Sequence, residues 1–180
     1  MKAVVLLAEG FEEIEAVTIV DVLRRANIDV TTAALGRSPV TGSHGIALVA
    51  DRPLDGVTAS DFDAVVLPGG MPGSRHLKED ARVLSLLADA ARSHKTVAAV
   101  CAAPIALEAA GVLAGKRATS YPGNELPSAH YSEERVVVDG NLVTSRGPGT
   151  ALEFSLALVE KLAGTEAKDR LARAMLAALV

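Results

Sequence analysis

Apolar and polar positions follow two different periods along the chain. Residues 2–7, 28–35, 62–67 and 96–100 are short, nearly continuous runs rich in Val, Leu and Ala. Such runs suit strands covered on both faces better than strands with one wet face. Helical spacing fills the stretches between them. Residues 14–26 place Ile14, Val17 and Asp21 on one face, with Arg24 and Arg25 in the last turn, where positive charge suits the helix dipole. Residues 80–93 direct Val83, Leu84, Leu87 and Ala91 toward a core. Residues 104–110 open on Pro104 and close on Gly111, and residues 151–162 and 166–178 complete the helices. Gly42 and Gly45 mark a small hairpin around residues 44–49. Asp139-Gly140-Asn141 between runs 135–138 and 142–145 signals a second hairpin.

No repeat, low-complexity tract or linker interrupts this alternation, so a single domain over residues 1–180 is expected. Alternating strands and helices predict an open α/β sheet with helices on both faces. In such sheets the active site lies outside the carboxyl ends of the strands, at a topological switch point. The segments immediately after strands therefore carry the chemical interest: residues 9–15, 68–73, 101–104 and 146–149.

Composition narrows the function classes. With 49% hydrophobic residues in 180, the chain can bury a large core. A net charge of −4 and 3% aromatic residues argue against nucleic-acid binding, which needs basic patches and stacking rings. No apolar run approaches the ~20 residues that span a bilayer, so no membrane partner is expected. The N-terminal run Met1-Lys2-Ala3-Val4-Val5-Leu6-Leu7 has the charge and polarity of a weak signal peptide. It stops at Glu9 without a small-residue cleavage site, which favours a buried first strand in a cytoplasmic protein. A single cysteine forms no internal disulfide and fits a reducing compartment.

That cysteine is the sharpest chemical signal. Cys101 follows the apolar run Val97-Ala98-Ala99-Val100 and precedes Pro104, a residue suited to the first turn of a helix. It therefore occupies a tight strand-to-helix turn, the layout of a nucleophile elbow. A helix N-terminus stabilises thiolate, which predicts a lowered thiol pKa. Pro68-Gly69-Gly70 follows another strand, and adjacent glycines let successive N–H groups of Gly69 and Gly70 point into a site. With the N–H of Ala102, that of Gly70 makes a candidate oxyanion hole. Glu12 and Glu13 suit an exposed helix start. Glu15, next to apolar Ile14, is a candidate buried acid with a raised pKa, able to donate to a thiolate or act as general acid/base. His44, His76 and His94 lie in surface contexts, whereas His130 follows an irregular stretch, residues 121–129, that can fold over the site. No P-loop, complete dinucleotide fingerprint or zinc spacing is present, so no metal is expected.

Four blocks in order resemble the ThiJ/PfpI superfamily over nearly the whole chain, and more narrowly the clade of the Parkinson-disease protein DJ-one and its bacterial relatives. They are residues 8–15 (AEGFEEIE), 67–70 (LPGG), 99–104 (AVCAAP) and 144–150 (TSRGPGT). The resemblance implies a flavodoxin-like three-layer sandwich with a mainly parallel central sheet, a homodimer and a cofactor-free site. It implies that Cys101 is the reactive cysteine, with Glu15 its protonated partner and Gly70 and Ala102 the backbone donors. His130 matches the His-Tyr of the clade, near the cysteine. Arg146 and Pro148 match a loop that approaches the neighbouring subunit's site, and the helix over residues 14–26 is placed at the dimer interface. The protease-like branch carries His directly after the cysteine, where this chain has Ala102, and no His-x-Glu pair supports a glutaminase triad.

The expected activity is of glyoxalase or deglycase type, on methylglyoxal, glyoxal or their adducts. The alternative is an oxidative-stress sensor or redox-regulated chaperone that uses the same cysteine.

Overall fold

The computed structural model describes residues 1–177. Strands and helices alternate through the chain: β1 (Lys2–Leu7), α1 (Glu13–Arg25), β2 (Asp29–Ala34), β3 (Val40–Thr41), β4 (Ala47–Leu48), β5 (Arg52–Pro53), β6 (Ala64–Leu67), α2 (Gly73–Glu79), α3 (Ala81–Arg92), β7 (Thr96–Val100) and α4 (Pro104–Ala109). The remainder comprises β8 (Arg117–Ala118), β9 (His130–Tyr131), β10 (Val136–Asp139), β11 (Leu142–Ser145), α5 (Ala151–Ala163) and α6 (Thr165–Ala174).

The main sheet has seven strands in the order β10-β11-β7-β6-β1-β2-β5. Every neighbour pair is parallel except β10–β11, the hairpin that turns at Gly140-Asn141. Successive side chains of a strand point to opposite faces, and β1 divides accordingly. Ala3, Val5 and Leu7 pack with Ile19 and Leu23 of α1, Phe154 and Leu158 of α5, and Ala172 of α6. Val4 and Leu6 join the opposite core, with Leu77 of α2, Leu87 of α3 and Leu107 of α4. Helices thus cover both faces, giving the flavodoxin-like sandwich that the pattern and the resemblance predict. Continuous burial along β1, β6 and β7 explains why these strands read as unbroken apolar runs.

Several details differ from the pattern. In α1 the core face is Ala16, Ile19, Val22 and Leu23, while Ile14 and Val17 point outward. In α3, Leu86 and Ala90 are buried where the spacing favoured Leu84 and Ala91. The last helix ends at Ala174, and the final residue predicted for it, Ala178, lies outside the described residues. The β3–β4 hairpin forms as expected. The two-residue strands β8 and β9 pair in parallel within the segment that carries His130.

Chain order places the switch point between β1 and β6, because β2 lies on one side of β1 and β6 on the other. The turns after β1, β6 and β7 therefore converge at one end of the sheet.

Candidate active site

Cys101 is the first residue after β7 and adopts φ +62°, a left-handed conformation uncommon for a residue with a side chain. Neighbouring chain holds it there. The Cys101 N–H donates to the Ser145 carbonyl at 3.0 Å, and the Cys101 carbonyl accepts from the Tyr121 N–H at 2.8 Å. Pro104 then begins α4. This is the strand–elbow–helix arrangement anticipated from sequence. The residue is 8% exposed, and the N–H groups of Gly70 and Ala102 donate to its sulfur.

Glu15 comes from the first turn of α1 and is completely buried. Its Oε2 accepts from the Gly69 N–H at 2.7 Å. Its Oε1 meets no N–H or O–H donor among the described residues. The carboxyl and the Cys101 thiol face one another as hydrogen-bond partners. Gly69 makes this approach possible. A Cβ there would lie 2.6 Å from the Cys101 Cβ and 2.7 Å from Glu15 Oε2.

The electrostatics of the pair follow from its burial. Desolvation raises Glu15 from 4.5 to about 7, against the pull of the Gly69 N–H and with the help of the nearby Glu12 charge. Burial, then the Glu15 charge and hydrogen bond, push the Cys101 thiol up to about 12, against the N–H groups of Gly70 and Ala102. The expectation of a lowered thiol pKa therefore does not hold: burial raises the thiol, and the Glu15 charge adds to the rise. Helix α4 has only six residues, and its dipole is outweighed by desolvation and an adjacent acid. The two groups are coupled, so the first proton to leave belongs to the pair rather than to either residue.

Glu12 and Glu13 depart from the exposed helix start predicted for them, being 7% and 4% exposed. The β3–β4 hairpin folds over this turn. Glu13 accepts from the His44 N–H at 2.6 Å, contacts His44 Nδ1 at 2.9 Å, and accepts from the Ser43 hydroxyl at 3.3 Å. Burial opposes ionisation of Glu13, yet these bonds from His44, with that from the Ile46 N–H, hold its carboxyl down at about 2. His44 is raised in return by its bond to Glu13. Glu12, Glu13 and His44 form a group whose potential metal-ligand atoms lie within 4.8 Å of one another, but the Glu13 oxygens are already committed to hairpin donors.

The remaining predicted residues make no hydrogen bond to the pair among the described residues. His130 is exposed on β9; its peptide N–H donates to the Lys116 carbonyl, and its ring makes no hydrogen bond among the described residues. The segment before it does cover the elbow, through Tyr121. Arg146 is half-buried and donates from Nη1 to the Glu133 carbonyl at 3.0 Å. Pro148 starts a short 3-10 turn, Pro148–Thr150, fixed by a 2.6 Å contact between the Ser145 and Thr150 hydroxyls. A Cβ on Gly147 would lie 3.4 Å from the Tyr121 ring, so this loop abuts the one over Cys101.

Comparison with known proteins identifies the family and the fold. Residues 1–161 match the DJ-1/PfpI family. The chain is 44% identical over 181 residues to protein dj-1beta of Drosophila melanogaster, covering 98% of this chain and 97% of that one. It is 34% identical over 171 residues to a Caenorhabditis elegans protein named glutathione-independent glyoxalase DJR-1.2, covering 93% and 91%. The crystal structure of Drosophila melanogaster DJ-1beta superposes with a TM-score of 0.94 at 45% identity, covering 99% of this chain and 98% of that one. Two Arabidopsis thaliana relatives, protein DJ-1 homologs B and A, are longer, and the chain spans 40% and 44% of their lengths.

Proposed function

The chain belongs to the DJ-1/PfpI family, and from that membership and its buried thiol–carboxyl pair we propose that it is a cofactor-free cysteine enzyme of glyoxalase or deglycase type. The observation that carries the reading is the Glu15 carboxyl held beside Cys101, with one oxygen that no N–H or O–H donor reaches among the described residues. A buried carboxyl raised toward neutrality moves protons efficiently near pH 7. The donors offset part of the cost of charge on sulfur: two N–H groups face the Cys101 sulfur and one faces Glu15. With the proton on Glu15 Oε1, the acid becomes a third donor to the thiolate.

The substrates are methylglyoxal, glyoxal and their adducts with amines or thiols. The Cys101 thiolate adds to the aldehyde carbon of methylglyoxal, and the new oxyanion takes a proton to give a hemithioacetal. Glu15 as carboxylate then removes the proton from that carbon while the ketone oxygen takes one up, forming an enediol; a proton returns to the former ketone carbon as the hydroxyl on the sulfur-bearing carbon gives one up. The product is the lactoyl thioester of Cys101. Water cleaves it to lactate and regenerates the thiol, so the net change is addition of one water. The N–H groups of Gly70 and Ala102 are suited to carry oxyanion charge during these steps. The scheme assigns the proton transfers to Glu15, because the ring of His130 bonds neither reacting group among the described residues.

The test is lactate formation from methylglyoxal without added thiol. Wild-type turnover, with loss in both C101S and E15Q, supports the reading; absence of lactate from fully reduced protein overturns it. In that event the oxidative-stress sensor or chaperone takes precedence, because the same donors suit the oxygens of a Cys101 sulfinate. Intact mass followed through a peroxide titration reads that oxidation directly. The protein is expected to be cytoplasmic; no helix among the described residues is long and apolar enough to cross a membrane.

A homodimer completes the proposal. Ile14 and Val17 on α1 and Ile46 and Val49 near the hairpin form an exposed apolar group, with Val49 at 77% exposure. A second copy is the simplest cover for such a face, and two-fold homodimers are the commonest oligomers. Arg146 and Pro148 are proposed to approach the neighbouring subunit's site.

A further inference from the structure

The turn that presents Glu15 is closed by a ring of three hydrogen bonds. The Gly69 N–H donates to Glu15 Oε2 at 2.7 Å. The Gly69 carbonyl accepts from the Glu12 N–H at 2.8 Å. Glu12 Oε2 accepts from the Glu15 N–H at 2.7 Å. Glu15 is therefore tied by both its peptide and its carboxyl, and Glu12 is the link between its backbone and Gly69.

Glu12 is also the N-cap of α1. Asn, Asp, Ser and Thr are the favoured residues at that position, so capping alone does not account for a glutamate. What Glu12 adds to a cap is reach and charge, inside a turn where it is almost fully buried. A carboxylate sharing a site with a second carboxyl disfavours ionisation of its neighbour. The titratable groups facing Glu15 are Glu12 on its own turn and Cys101 from the β7–α4 elbow, while the β6–α2 turn offers the uncharged Gly69 peptide. Glu13 bonds instead to the hairpin, where it is paired with His44, and both of these face Glu12 with their polar atoms within 4.8 Å.

We propose that Glu12 is a positioning residue for the Cys101–Glu15 pair: its hydrogen bonds hold the Glu15 carboxyl against Gly69 and set a second carboxylate beside it. The inference rests on reading Cys101 and Glu15 as the reacting pair. It adds a second carboxylate that touches neither substrate nor sulfur.

The experiment follows Cys101 alkylation by iodoacetamide against pH, with thermal unfolding alongside, in wild type, E12Q, E12S and E12D. E12Q and E12S retain an oxygen acceptor but lose the charge. Both are expected to fold and to move the alkylation midpoint down by about one pH unit, the order of a like-charge interaction in a partly buried cluster. E12D retains charge and cap and is expected to stay near the wild-type midpoint. Two results overturn the proposal: uncharged variants that titrate with wild type, or E12D falling with them. A purely structural role would lower thermal stability and leave the midpoint in place, which also overturns it. Alkylation needs no dicarbonyl, so a failure to form lactate would count against the proposed enzyme, while the role of Glu12 stands or falls on the midpoints alone.

Discussion

The Glu15 carboxyl is expected to make this protein less stable as pH rises through neutrality, and replacing it is expected to remove that loss. The sign follows from proton binding. Glu15 ionises at about 7 in the folded chain and at its ordinary 4.5 when exposed by unfolding. Between those values the folded state holds a proton that the unfolded state has released. Stability from this group is therefore fully present below 4.5 and is lost as pH climbs through about 7. The rise from 4.5 to about 7 corresponds to about 3 kcal/mol at 1.36 kcal/mol per pH unit. Solvent screening does not reduce it much, because the side chain is wholly buried. Folded domains typically have a net stability of ~5–15 kcal/mol, so the effect is easily measured.

The assay is urea unfolding at fixed protein concentration, for wild type and E15Q, from about pH 4 to about pH 8. The glutamine keeps an oxygen for the Gly69 N–H and offers an amide to the sulfur. The difference in unfolding free energy, E15Q minus wild type, should grow by about 3 kcal/mol across that range. Glu13 does not confuse the comparison: it is held at about 2, and its stabilising contribution is lost only as pH falls below the ordinary 4.5, equally in both proteins. If the first proton leaves sulfur rather than carboxyl, the sign is unchanged, because the pair still releases it above 4.5. Parallel stability curves for the two proteins would refute the reasoning.

Three further outcomes are expected. G69A inserts a methyl 2.6 Å from the Cys101 Cβ and 2.7 Å from Glu15 Oε2, so it should cost ~1–3 kcal/mol in unfolding and abolish lactate formation; wild-type kinetics would show that the pair tolerates separation. H130A should keep turnover within about threefold of wild type, since single surface substitutions rarely reach further, and a hundredfold loss would restore the imidazole to the mechanism. V49D places a charge on the exposed apolar face and should shift sedimentation equilibrium at micromolar concentration from dimer to monomer; a wild-type monomer would remove the proposed interface.

The core of the fold was legible because its signals are local. Strands β1 and β7 lie in an all-parallel region buried on both faces, which forces unbroken apolar runs. The β10–β11 hairpin announced itself through Gly140, which takes φ +60° at the turn. The missed elements lack such signals. Helix α2 has seven residues and follows Pro68-Gly69-Gly70-Met71-Pro72, whose turn chemistry masks a short helix. Strands β8 and β9 have two residues each and exist through pairing with one another across an irregular loop. No hydrophobic period of two can appear in so short a stretch.

The site divides in the same way, by the range of its causes. Cys101 was visible because strand, small residues and Pro104 are contiguous. Its elevated pKa was not, because the causes are burial by the assembled fold and then a carboxyl that arrives from the far end of the chain. Burial of Glu12 and Glu13 was hidden for a similar reason. An acidic pair at a helix start reads as a solvated one until a hairpin from elsewhere folds over it. Gly42 is what lets that hairpin close, since a Cβ there would lie 2.3 Å from Glu13 Oε1. Three glutamates in four positions thus have three fates: Glu13 is held ionised by hairpin donors, Glu15 is pushed toward its neutral form by burial, and Glu12 accepts from the Glu15 N–H and adds its charge to the rise of Glu15. Residue type fixes none of these. Surroundings do: the N–H groups that reach Glu13 and Glu15 come from His44 and Ile46 of the hairpin and from Gly69, while Glu12 takes its N–H from Glu15 of the helix itself.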